Sequence, residues 1–127
     1  MSLNENDIKK ALNNLSFPKN SFWLIMGSAL VFHGIRDCTQ DIDIGCCNQL
    51  FEELKSKGYT VYKSRSGKEK INYSDSIHIY RNWETTNVIF IDGIPVADLK
   101  SILKDKKKLG RPKDIIDISI IEKHLKG

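Results

Sequence analysis

The residues of this chain best placed to do chemistry are Asp41 and Asp43, two carboxylates separated by one isoleucine in Asp41-Ile42-Asp43-Ile44-Gly45-Cys46. The alternation has period two, so a strand is expected, with Asp41, Asp43 and Gly45 on one face and Ile42, Ile44 and Cys46 on the other. Carboxylates so placed converge within a few ångströms, and their repulsion is costly unless a cation sits between them. Magnesium or manganese suits that position, because such ions take one or two carboxylates together with waters and phosphate oxygens. Solvent-facing acids on an edge strand give the same pattern, so the pair alone does not decide its role.

Upstream, Gly27-Ser28 follows the apolar run 22–26 and precedes a short apolar segment that ends at Gly34. A strand, a tight turn and a helix are expected there, with Gly27 supplying backbone freedom and Ser28 opening the helix. The first N–H groups of a helix favour a phosphate. Equally, Ser28 can be a cap and Gly27 a turn residue with no ligand. Arg36, between this helix and the carboxylate strand, can neutralise phosphate or pair with an aspartate.

The elements that must position these groups are legible at low resolution. Asn6-Asp7 is expected to cap a first helix carrying Ile8, Ala11, Leu12 and Leu15. Asn48 is expected to cap a helix that runs to Lys57 and stops at Gly58. Strands are expected at 59–63, 70–73, 76–80 and 87–91, arranged as a meander. Asp98 then caps a helix with Leu99, Ile102 and Leu103 inward and Lys100, Lys104 and Lys107 or Lys108 outward. After Gly110 and Pro112, a last helix over 113–125 carries Ile115, Ile116, Ile118, Ile120 and Ile121 as an apolar stripe, with Asp114 near its N-terminal end.

Composition narrows the class. A chain of 127 residues, 40% hydrophobic and 28% charged, fits one soluble domain spanning 1–127. No apolar run approaches the ~20 residues needed to cross a bilayer, and the opening residues lack a secretory signal, so a cytoplasmic location is expected. Cys38, Cys46 and Cys47 lack zinc spacing and are odd in number, which points to reduced thiols. The net charge of +4 gathers in 63–70 and 104–113, and such clusters attract phosphates unless they merely keep the surface soluble.

Gly27-Ser28, twelve intervening residues and Asp41-Ile42-Asp43 together resemble the signature of the DNA polymerase beta-like nucleotidyltransferase superfamily. Gly34-Ile35-Arg36 and Thr39 before Asp41 are similar to its small bacterial members of the abortive-infection toxin and antibiotic nucleotidyltransferase type. Asp98-Leu99, Lys104, Gly110-Arg111-Pro112-Lys113-Asp114 and Asp117-Ile118 resemble the C-terminal segment of the same proteins, so the likeness covers residues 22–125.

The resemblance implies an α+β fold, a mixed β-sheet flanked by helices with a C-terminal helical pair. It implies that Gly27 and Ser28 contact a triphosphate, that Asp41 and Asp43 bind the metal, and that Lys104 and Lys113 add positive charge. The implied reaction transfers a nucleoside monophosphate from a nucleoside triphosphate to an acceptor hydroxyl on RNA, protein or a small molecule, with a homodimer or partner protein completing acceptor recognition. A third carboxylate is expected on a later strand, where this chain has His78, with Asp75 three residues earlier. An imidazole there can serve as a base or weak metal ligand, or be an ordinary strand side chain. Loss of that acid also fits a lapsed enzyme retained as a nucleotide-binding or protein-interaction module. A nucleic-acid-binding protein using the basic clusters is the remaining class, without a recognised motif.

Overall fold

The computed structural model describes residues 2–126. Helix α1 (Glu5–Leu15) opens on a reciprocal box: Asp7 N–H donates to Asn4 Oδ1 at 2.9 Å and Asn4 N–H to Asp7 Oδ2 at 3.1 Å. The cap is therefore Asn4, with Asp7 as its partner three residues on, and not Asn6-Asp7. Strand β1 (Phe22–Leu24) leads into helix α2 (Met26–Phe32), then β2 (Ile42–Cys46) and α3 (Asn48–Ser56). Cys47, not Asn48, takes the cap position of α3 and makes no side-chain cap bond. Strands β3 (Val61–Lys63), β4 (Glu69–Asn72), β5 (Ile77–Arg81), β6 (Val88–Ile91) and β7 (Ile94–Ala97) precede α4 (Leu99–Leu109) and α5 (Asp114–Lys126).

The seven strands form one mixed sheet in the order β3-β4-β5-β2-β1-β7-β6. Only β3, β4 and β5 form the expected meander. The chain then crosses to the other side of β1, where β7 pairs parallel to β1 and β6 closes that edge. Strand β7 is not among the expected strands, because Ile94-Pro95-Val96-Ala97 is short and holds a proline that cannot donate to a ladder.

Register explains how one sheet carries both a core and a site. Ile71, Ile79, Ile44, Leu24 and Val96 stand side by side across five strands, and all are fully buried. Ile8 and Leu12 from α1, Leu30 from α2, and Phe51 and Leu54 from α3 complete that core. Fully burying each such side chain contributes roughly 1.5–3 kcal/mol. One residue along each strand the pleat reverses, and the aligned positions become Asn72, His78 and Asp43, then Lys70, Tyr80 and Gly45. The polar face is thus a direct consequence of the apolar one.

The last helix departs from its expected orientation. Asp114, Asp117 and Ile121 form its buried side, while Ile115 is 66% and Ile116 71% exposed. Of the expected stripe Ile121 is buried and Ile118 half-buried, while Ile115, Ile116 and Ile120 face outward because the two aspartates meet cations on α4 and near α2. Helix α5 packs against α4, and α4 against α2.

Candidate functional site

A cavity of about 650 Å³ opens on the polar side of the sheet, and Gly27, Arg36, Asp41, Asp43, Tyr80, Lys106, Arg111, Lys113 and Asp114 are on its wall. Residues far apart in sequence meet here. Asp43 lies within β2 and is partly buried, whereas Asp41 stands one residue before the strand and is exposed. Burial, with the neighbouring Asp41 charge adding to it against the opposing influence of His78, raises the Asp43 carboxyl to about 6. Burial and the same two aspartates push the Tyr80 hydroxyl up to about 12, so it remains a neutral wall of the cavity.

The start of α2 differs from the sequence expectation, because the helix opens at Met26 and holds Gly27 and Ser28 within its first turn. Met26 has the left-handed φ of +54°, and Gly27 is not among the residues with positive φ. Gly27 is needed for space: a β-carbon there would lie 2.9 Å from Arg36 Nη1 and 2.9 Å from Thr39 Oγ1. Ser28 is fully buried and absent from the cavity wall. Its hydroxyl lies 2.9 Å from the Ile25 carbonyl and 3.0 Å from that of Asp43, and it accepts the Asp43 N–H at 3.2 Å. Ser28 therefore ties the turn to the carboxylate strand. With α2 only seven residues long, positive charge in the cavity comes from side chains more than from a helix dipole.

Those side chains form a network. Arg36 donates to Asp117 through Nη2 at 2.6 Å and Nε at 3.3 Å, while its Nη1 lies over Gly27. Of its two expected roles the structure shows the pairing with an aspartate, and Arg36 also stands on the cavity wall. Lys106 is buried, 3.0 Å from Asp114 and 3.3 Å from Asp117. Arg111 grips Asp114 through Nε at 2.7 Å and Nη2 at 3.1 Å. Burial opposes ionisation of Asp114, but hydrogen bonds from Arg111 and Lys106 outweigh it and hold the carboxyl below its ordinary range. Three cations share two carboxylates, which leaves one positive charge uncompensated beside Asp41 and Asp43.

Lys113 is exposed at the cavity rim, and Lys104 is exposed on α4, outside the cavity wall. The lysine of α4 that enters the site is Lys106. Its signal was present in the sequence, because Lys106 stands four residues after Ile102 on the inward face that also holds Leu99 and Leu103. His78 pairs with Asp43 in the parallel β2–β5 ladder, and its Nε2 is 3.9 Å from Asp41 Oδ1. Asp75 is exposed in the turn before β5, and Asp92 pairs with Lys9 at 3.0 Å. Neither aspartate is on the cavity wall.

Among the described residues, no group of three or more histidine, cysteine or acidic side chains is arranged to hold a metal. Two carboxylates still fit a magnesium or manganese ion whose remaining ligands are waters and phosphate oxygens. Among the described residues no helix is long and apolar enough to cross a membrane. Comparison with protein-family models, with curated proteins and with solved structures yields no match to this chain.

Proposed function

We propose that this protein is a metal-dependent nucleotidyltransferase with the DNA polymerase beta-like site architecture. The observation that carries the reading is the meeting of Asp41 and Asp43 with Arg36, Lys106 and Arg111 around one cavity. Carboxylates for a divalent cation and fixed cations for a polyphosphate are the two parts that nucleotidyl transfer needs. Arg36, Lys106, Arg111 and Lys113 bind and orient the triphosphate, and Gly27 leaves room for Arg36 beneath it. The acceptor oxygen attacks the α-phosphorus, the bond from that phosphorus to the pyrophosphate oxygen breaks, and pyrophosphate leaves. The acceptor's proton passes to the cluster of Asp41, Asp43 and His78. A magnesium or manganese ion held by Asp41 and Asp43 would supply charge neutralisation at the reacting phosphate.

The cavity wall also bears on the acceptor. Arg36, Arg65, Lys70, Lys106, Arg111 and Lys113 outnumber Asp41, Asp43 and Asp114, a balance that repels a cationic antibiotic and favours an anionic acceptor such as an RNA end. One observation favours a second reading. His78 stands where the third carboxylate is expected, which suits a nucleotide-binding module without transfer activity.

The two readings separate on incubation with labelled nucleoside triphosphates, magnesium or manganese, and cell extract, beside an Asp41→Ala, Asp43→Ala double variant. The expected result is a labelled product with the wild type and none with the variant. Calorimetric nucleotide binding without product under either metal would establish the second reading, and absence of binding would overturn both.

A further inference from the structure

The two edges of the sheet are built differently. Strand β3 has three residues and ends in the exposed Lys63, a short charged edge of the kind that resists pairing with other chains. Strand β6 has no such protection. From Thr85 to Ile91 the chain carries no charge, and Val88, Ile89 and Phe90 are 40%, 39% and 61% exposed.

The backbone of β6 is also directed. Asn87 C=O accepts from Asp98 N–H at 3.1 Å, which turns its peptide toward the β7 side. At the other end Asp92 and Gly93, with φ of +50° and +76°, form the two-residue turn that sets Ile91 opposite Ile94. In an antiparallel ladder the inward and outward residues alternate. Positions 87, 89 and 91 therefore bond toward β7, and Val88 and Phe90 direct N–H and C=O groups outward, where among the described residues β6 has no neighbouring strand.

We propose that this edge is a self-pairing interface at which the β6 strands of two copies join antiparallel about a two-fold axis. The pairing sets Val88 opposite Phe90 of the second copy and Ile89 opposite its own counterpart. All outward main-chain groups of Val88 and Phe90 are then bonded, because an antiparallel strand is complementary to itself under two-fold symmetry. Each Phe90 ring covers a Val88, and the two Ile89 side chains pack together, both favourable cross-strand pairs. Asp92 falls opposite Thr86, so no like charges meet. This surface is independent of the proposed enzymatic function.

Sedimentation velocity across micromolar concentrations tests the interface. The wild type is expected to be a dimer. Phe90→Pro removes an outward N–H while sparing the β7 ladder, and Phe90→Lys places a charge in the seam, so each raises the dimer dissociation constant at least ~10-fold, the effect of about 1.4 kcal/mol. Circular dichroism of both variants stays that of the wild type. In a Cys38→Ser background, Ile89→Cys should join two copies on oxidation, since facing residues of this pair type lie ~4.5 Å apart, within disulfide reach. A monomeric wild type overturns the proposal, as does a dimer that survives Phe90→Lys. Should Phe90→Pro unfold, Phe90→Lys and the cross-link decide. A monomer that takes a β-strand from a different protein on this edge also overturns it.

Discussion

Gly27 and Asp43 show how single positions carry the site. A methyl group on Gly27 meets Arg36 and Thr39 at contact distances that neither can absorb without moving. Gly27→Ala is therefore expected to displace the Arg36 side chain and weaken nucleoside triphosphate binding by roughly tenfold or more, read by calorimetry. Asp43 makes the opposite kind of demand. Its carboxyl ionises near 6 in the metal-free fold and near 3.8 when free, so the folded state binds the extra proton between those values. Stability from this group is thus present at low pH and lost as pH rises through 6. Asp43→Asn should raise metal-free stability at pH 8 by about 3 kcal/mol or less and give no gain at pH 4, measured by urea denaturation. The same variant should lose transfer activity, since an amide is a poor partner for a divalent cation. Both aspartates were legible in the sequence as a pair on one face. What Ser28 does was not, because a serine near the start of a helix reads alike whether it caps, binds phosphate or, as here, fastens one element to the next.

Helix α5 is turned away from the orientation its isoleucines alone would give it. Counting isoleucines puts Ile115, Ile116, Ile118, Ile120 and Ile121 inside, yet of these only Ile121 is fully buried, beside Asp114 and Asp117. Periodicity alone ranks faces by hydrophobicity, and it has no term for cations waiting on a neighbouring helix. Lys106 and Arg36 provide that term, and they are distant in sequence from the aspartates they meet. Lys106→Met should consequently destabilise the fold by about 3–5 kcal/mol through the charges it leaves without a partner. Ile116→Lys should change stability by less than about 0.5 kcal/mol. Urea denaturation of both variants checks the orientation of α5; a costly Ile116→Lys with a harmless Lys106→Met would reverse it. Similar reasoning explains β2 and β7. The former announces itself by alternation, whereas the latter takes its place only from the long-range parallel pairing to β1.

At the scale of the whole molecule, the sheet separates two environments, an apolar row on one face and a charged cavity on the other. A ligand that neutralises the cavity should stabilise the entire fold. Magnesium and a nucleoside triphosphate at about 100 times the dissociation constant are expected to add about 2.7 kcal/mol, seen as a rise in melting temperature that Asp41→Ala abolishes. The two ends of the site are also separated in time. Asp41 and Asp43 are synthesised in the first half of the chain, while Lys106, Arg111, Asp114 and Asp117 follow near its end. A nascent chain that has completed the sheet holds its carboxylate pair with Arg36, Arg65 and Lys70 but without Lys106 and Arg111. On the proposed function, polyphosphate capture would await the synthesis of α4 and α5, so the order of translation would itself keep the unfinished protein inert.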